Sequence, residues 1–223
     1  MRTECSDLVV SDGGNIVLVS FDQSSISVLT QDEEKITEFD TNPLYPFWIT
    51  KTMKDEIIVT LIDNGDHYNL LPSSRRVVHL MDLTGDMLHS FEFKEDGKTR
   101  LFTLPMKTAE NKNTDICVIN WFSESSGELV VLHRNGRVKF THEADAQKVE
   151  CFLPTDVDCD SKSSILFSEF HSRAIHVLNA KGLYLYKLCQ YDQCIVPYAV
   201  SVNGDNLWCG MNWGTLKLYK YRN

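Results

Sequence analysis

The sequence predicts an all-β protein, a β-propeller of four-stranded blades. Three observations lead there. Short runs rich in Val, Ile, Leu and Phe recur at a blade-like period. Glycine hairpin turns recur at one place within most periods. No long stretch keeps apolar residues at helical spacing.

The strongest run of each unit opens on a polar residue followed by Ile or Leu. The five are Asn15-Ile-Val-Leu-Val-Ser20, Glu56-Ile-Ile-Val-Thr60, Asp115-Ile-Cys-Val-Ile119, Ser164-Ile-Leu-Phe-Ser168 and Asn206-Leu-Trp-Cys-Gly210. Counted between Ile16, Ile57, Ile116, Ile165 and Leu207, the spacings are 41, 59, 49 and 42 residues. Blade repeats run at about 40 to 50 residues, so one interval requires an insertion. The long stretch from Asp63 to Arg75 supplies it.

A weaker strand precedes each run, opened by proline in Pro46-Phe-Trp-Ile49, Pro154-Thr-Asp-Val157 and Pro197-Tyr-Ala-Val200. Proline suits a strand's first residue, where no ladder N–H is needed. A third strand follows each run: Ile26-Ser-Val-Leu29, Val77-Val-His-Leu80, Leu129-Val-Val-Leu132, Ala174-Ile-His-Val-Leu178 and Thr215-Leu-Lys-Leu218. Turns at Gly85, Gly136 and Gly182 then lead into fourth strands near 87–93, 137–141 and 183–188. In the first unit Asp32-Glu-Glu-Lys35 replaces the glycine turn. Sandwiches and barrels also string short strands together, but radial blades repeat one four-strand pattern. About five blades are visible, at residues 5–43, 45–97, 101–144, 151–192 and 196–223 of one propeller domain.

The last unit stops after its third strand, and Met1 to Cys5 is too short to complete it. The expectation is therefore a chain without its N-terminal neighbour: a fragment, a truncated reading frame or an incomplete ring. The unpaired edge left behind is an aggregation hazard.

Composition narrows the function. With 22 basic against 31 acidic residues the net charge is -9, which disfavours RNA and anionic membranes as main partners. The basic clusters are Arg75-Arg76 and the run 217–222, whose Lys217, Lys220 and Arg222 are read as the solvent side of a strand. No apolar run is long enough to span a membrane, and Glu4 and Asp7 interrupt any signal peptide. The expected location is the cytoplasm. Seven cysteines with no C-x-x-C pair read as reduced thiols rather than a metal site; a site from Cys189, Cys194 and a remote histidine is the weaker alternative. No cofactor is expected.

Residues 153–223 resemble the C-terminal end of NHL-repeat propellers in tripartite-motif proteins, particularly the invertebrate sets. The resemblance rests on Leu153-Pro-Thr-Asp-Val157, Ser164-Ile-Leu-Phe-Ser168, His171-Ser-Arg-Ala-Ile-His-Val-Leu178 with Gly182, Pro197-Tyr-Ala-Val200, Leu207-Trp-Cys-Gly210 and Gly214-Thr-Leu-Lys217. It extends more loosely over nearly the whole chain. Where the family often has Asp after the second strand, this chain has Ser20, Leu61, Asn120, Glu169 or Gly210. The family typically closes six blades, so the resemblance implies an incomplete six-bladed ring. No RING, B-box or coiled coil precedes it. The resemblance implies the recognition half of a ubiquitin ligase, binding a protein partner or ubiquitination substrate without catalysis of its own.

The expected partner-binding residues lie on one loop face: His67, Tyr68, Trp121, Phe122, Phe170, His171, Arg173, Asn212 and Trp213. Trp, Tyr and Arg anchor interfaces. Tyr45, Phe47 and Tyr198 stand where blades begin, and Trp48 and Trp208 read as core. Two alternatives stay open. One is an RNA-binding propeller. The other is a calcium-dependent lactonase-like enzyme, with Glu169, Asn120 and Asn212 as candidates for the axis. No P-loop, G-x-G-x-x-G or G-x-S-x-G occurs.

Overall fold

The computed structural model describes residues 5–30, 36–143, 151–189 and 195–221. The turn at 32–35, Cys194, Arg222 and the residues ahead of Cys5 lie outside them.

Every regular element among the described residues is a strand, apart from one 3-10 turn at Asn212–Gly214. The first sheet joins β1 (Asp7–Val10), β2 (Ile16–Val19), β3 (Ser25–Leu29) and β4 (Ile36–Asp40). The second joins β5 (Tyr45–Lys51), β6 (Ile57–Ile62), β7 (Arg76–Met81) and β8 (Met87–Phe91). The third joins β9 (Leu104–Glu110), β10 (Ile116–Ser123), β11 (Ser126–Leu132) and β12 (Val138–His142). The fourth joins β13 (Pro154–Cys159), β14 (Ile165–Glu169), β15 (Ala174–Leu178) and β16 (Tyr184–Leu188). The fifth has three strands: β17 (Pro197–Asn203), β18 (Asn206–Met211) and β19 (Leu216–Lys220). In every sheet sequence neighbours pair antiparallel, the up-and-down order that the repeat implies.

Burial follows strand position. All six residues of β6 are buried, because both of its faces are covered. The outer strands β8 and β16 are mostly exposed, with Met87, Leu88, Tyr184 and Tyr186 on the surface. Trp208, read as core, is 39% exposed: it stands beside Leu216 and Leu218 on the open face of the fifth sheet. Lys217 and Lys220 do not share a face, since three residues along a strand reverse the side.

The chain divides into two compact units, Met1–Lys107 and Thr108–Asn223. In the first, Val17, Val19, Ile26 and Val28 of one sheet pack on Ile49, Ile57, Val59 and Leu61 of the next. In the second, Leu166, Ile175 and Val177 pack on Val200, Leu207, Cys209 and Met211.

The same stitch recurs in both units. Asp7 Oδ2 accepts the Ile49 N–H at 3.2 Å, and Asp156 Oδ2 accepts the Val200 N–H at 2.9 Å. Each joins the first strand of a blade to the first strand of the following one. Asp158 repeats it on the Val202 N–H at 2.7 Å.

Turns repeat as well. Between the first and second strands, Ser11, Thr52, Asn111 and Asp160 each accept the N–H four residues on, from Asn15, Glu56, Asp115 and Ser164. Side chains of this type substitute for a backbone acceptor in tight turns. Between the third and fourth strands the turn needs glycine. Gly182 has φ +83°, and an added Cβ would lie 2.7 Å from the Phe140 ring. Gly182→Ala is expected to cost about 1–3 kcal/mol through strain and overpacking. Urea unfolding checks this, and a change below about 0.5 kcal/mol would show that the turn relaxes freely.

Candidate functional site

The insertion after β6 shapes a concave part of the first unit. Its anchor is Arg76, half of the Arg75-Arg76 basic pair. The side chain is fully buried. Its guanidinium meets Asp63 Oδ1 at 2.7 Å and donates to the carbonyls of Arg75 at 2.8 Å and Asp66 at 2.7 Å. Asp63 also accepts N–H groups from Gly65, at 2.8 Å, and from Arg75. Burial alone would raise the Asp63 carboxyl. The Arg76 bond and the two N–H donors outweigh burial and hold it below the usual carboxylate range. Asp66 then fixes the tip of the loop by accepting the Tyr68 and Asn69 N–H groups at 2.9 and 2.8 Å. Arg75 closes the outer side with a bidentate pair to Glu92 at 3.1 and 2.7 Å.

Held this way, the loop forms one wall of a cavity of about 460 Å³. The others come from two neighbouring sheets. Phe21, Tyr45, Phe47, Ile62 and His67 supply rings and an aliphatic floor, and Asp63, Asn64 and Gly65 supply the polar edge. The rings form a chain. Phe21 lies 4.7 Å from Phe47, and Phe47 lies 5.8 Å edge-on from His67, which lies 6.3 Å edge-on from Tyr68. Trp48 backs the cluster 5.6 Å from Phe21 and is itself braced by Lys107, whose Nζ stands 3.8 Å over the ring and 3.0 Å from Asp7.

The polar groups of the cavity divide into two kinds. Asp63 is committed to Arg76 and the loop backbone. The Tyr45 hydroxyl, the Asn64 amide and the His67 imidazole have no hydrogen-bond partner among the described residues. An apolar-walled pocket of this volume with a few polar groups in its lining is the usual form of a small-molecule site.

Of the expected binding residues, His67 and Tyr68 meet here. The others lie in the second unit, where Trp121, His171, Phe170 and Asn212 make contacts within the fold. Trp121 donates Nε1–H to the Pro154 carbonyl at 2.7 Å. His171 Nε2 lies 3.0 Å from the Ser125 carbonyl, and Phe170 packs edge-on between His171 and Tyr198. Asn212 Oδ1 accepts the Val196 N–H at 2.9 Å. Arg173 and Trp213 occupy left-handed turn positions at φ 53° and 70°. Phe122 and Trp213 are exposed, Trp213 by 89%. The sequence reading missed Phe21, Ile62 and Asn64, which no motif marks.

The calcium candidates do not fit a cation. Glu169 is buried and accepts three backbone N–H groups, from Leu153, His171 and Ser172. Asn120 donates to Glu128 at 2.8 Å, and Asn212 serves the Val196 backbone. Among the described residues no three His, Cys, Asp or Glu side chains converge as a metal site. Six cysteines there are free thiols.

One Ser–His pair occurs in the second unit, Ser172 Oγ to His176 Nε2 at 2.7 Å. No carboxylate hydrogen-bonds the other ring nitrogen among the described residues. Burial against Phe167 and Tyr184 pushes the ring down to about 4, so it is neutral but a weak base. The pair reads as a turn support.

It has a consequence for acid stability. Burial also lowers His142 and His79. The unfolded chain takes up these protons from about pH 6.5 downward, and folded His176 refuses its own until about 4. Stability is therefore full above about pH 6.5 and falls as the pH drops through that window. We expect a loss on the order of 1–2 kcal/mol from His176, discounted for its partial exposure. Melting curves between pH 7.5 and 4.5 check it, with His176→Phe flattening the slope.

No protein-family model matches the sequence, and no curated protein does. Solved structures do. A catalytically inactive histidine variant of virginiamycin B lyase from Staphylococcus aureus, held with quinupristin, superposes with a TM-score of 0.70 at 12% identity, over 97% of this chain and 66% of that one. A gluconolactonase from Xanthomonas campestris gives 0.62 at 12%, over 95% and 71%. A luciferin-regenerating enzyme gives 0.64 at 10%, over 94% and 70%. This chain is a β-propeller. It spans about two thirds of the length of the lyase it matches. The expectation of a non-catalytic recognition scaffold is corrected here, because these propellers of like fold are enzymes. That expectation leaned on the lack of contiguous motifs. A site assembled from separate blades, as this cavity is, leaves none. Among the described residues no helix is long and apolar enough to cross a membrane.

Proposed function

We propose that this chain is a lactonase-like propeller enzyme that opens a cyclic ester in the aromatic cavity of its first unit. The observation that carries the reading is the meeting of three uncommitted polar groups, Tyr45, Asn64 and His67, with apolar walls in one cavity. The fold likeness to a gluconolactonase supports the reaction class.

His67 takes a proton from water, and the water oxygen adds to the ring carbonyl carbon. The Asn64 amide and the Tyr45 hydroxyl donate to the oxyanion that forms. The ring C–O bond then breaks, and the leaving alkoxide recovers the proton from His67, giving an open hydroxy acid. Asp63 takes no proton in this scheme, because Arg76 and the loop N–H groups hold it ionised. No step is routed through a metal, since the donor set does not fit one. The test is a pH-stat assay of the purified chain on a panel of neutral γ- and δ-lactones. Acid release no faster than in buffer across the panel refutes the reading.

Two finer readings accompany it. We read the blades as NHL-type repeats, on the motifs at 153–157 and 171–178; relatives in which those positions vary freely would count against this. We place the protein in a reducing cytoplasm on the six free thiols among the described residues; disulfides trapped on rapid alkylation of cells would contradict that.

A further inference from the structure

We infer that the cavity selects a neutral lactone carrying an aromatic or bulky apolar group, and rejects polyhydroxylated sugar lactones. This rests on the proposed ring-opening function and deepens it.

The inference comes from counting hydrogen-bonding capacity. A site that accepts a polyol must give each buried hydroxyl a partner, since an unpaired one loses its water without compensation. The cavity edge holds four polar elements: Asp63, Asn64, the Gly65 backbone and His67, with the Tyr45 hydroxyl on the wall. Asp63 Oδ1 is spent on Arg76 at 2.7 Å and on the Gly65 N–H at 2.8 Å, which also removes that backbone donor. The remaining three are those that ring opening itself needs, as base and oxyanion donors. One remaining Asp63 lone pair and the Asn64 amide oxygen are the side-chain acceptors left over, too few for the several hydroxyls of a sugar ring.

The walls point the other way. Phe21 and Phe47, tilted at 45° with centroids 4.7 Å apart, form a corner against which a flat ring can pack, with Ile62 on the floor. Phe21 is 46% exposed, so apolar surface remains for a ligand to cover. The Asp63–Arg76 pair leaves no uncompensated cation at the edge to attract an anionic ligand, which fits a neutral ring.

The full chain is tested on two probes, a phenyl-substituted γ-butyrolactone and glucono-δ-lactone. Turnover is followed by pH-stat. Binding is followed separately, as the melting-temperature shift given by the corresponding phenyl-substituted lactam, which cannot be opened the same way. The expected result is kcat/KM at least 100-fold higher for the phenyl lactone. Phe47→Leu is expected to raise its KM about tenfold with kcat within twofold; a Phe21→Leu variant gives a second reading if Phe47→Leu folds poorly. Preference for the sugar lactone overturns the inference and leaves the lactonase reading standing. Lactam binding without turnover of either lactone supports the ligand class and overturns the lactonase reading. Neither binding nor turnover overturns both.

Discussion

Replacing Arg76 with methionine is expected to lower the unfolding free energy by about 3–5 kcal/mol and to abolish the cavity. The guanidinium has no exposed surface and answers three acceptors: Asp63, the Arg75 carbonyl and the Asp66 carbonyl. Methionine fills similar volume but satisfies none of them. The Asp63 carboxylate, one-fifth exposed, is then left without its counter-charge, and the loop 63–75 loses the side-chain bonds from Arg76 to Asp63 and to the Asp66 carbonyl, keeping the Asp63–Arg75 pairing at its neck. The urea midpoint should fall with an unchanged denaturant slope, because the loss is in the folded state. Arg76→Lys keeps the charge but cannot reach all three acceptors, so it should fall between wild type and Arg76→Met. A Met variant within about 1 kcal/mol of wild type would show that the loop is held by something else.

His67→Ala is expected to reduce kcat for lactone opening by about 10²- to 10⁴-fold. The same change should leave the melting temperature almost unmoved. The ring is exposed, and its ring contacts among the described residues are edge-on, to Phe47 and Tyr68, so little packing is lost. The split between activity and stability is what distinguishes a proton-transfer group from a wall. Phe47→Leu, by contrast, should act mainly on KM. If His67→Ala retained more than about half of wild-type kcat, the assignment of the base would be wrong.

Much of the fold was legible because strand, turn and period are local properties. The runs at Ile16, Ile57, Ile116, Ile165 and Leu207 all became second strands. Gly85, Gly136 and Gly182 all sit in hairpins at positive φ. A further periodic signal lay unread. Ser11, Thr52, Asn111 and Asp160 head the same turn in four blades, and Asp7 and Asp156 carry the same stitch between blades. The site was less legible, for a physical reason. Its walls come from Phe21, Phe47 and Ile62, far apart in sequence, and only packing brings them together. His67 and Tyr68 were singled out for their residue types and loop position. The burial of Arg76 could not be read from the sequence, because a charged residue is rarely buried unless it is paired, and its pairing with Asp63 is a tertiary fact. Trp208 was misread as core, because an aromatic strand residue faces outward when its sheet face is open.

The most direct test of the central claim is to map histidine carbethoxylation against activity. The wild-type chain would be treated with limiting diethyl pyrocarbonate. Modification at each of the seven histidines would be quantified by mass spectrometry while lactone turnover is assayed on the same samples. The account predicts that activity falls in proportion to modification of His67 and that the non-hydrolysable lactam protects both together. Loss of activity that follows another histidine, such as His171, or full activity with His67 modified, would contradict it.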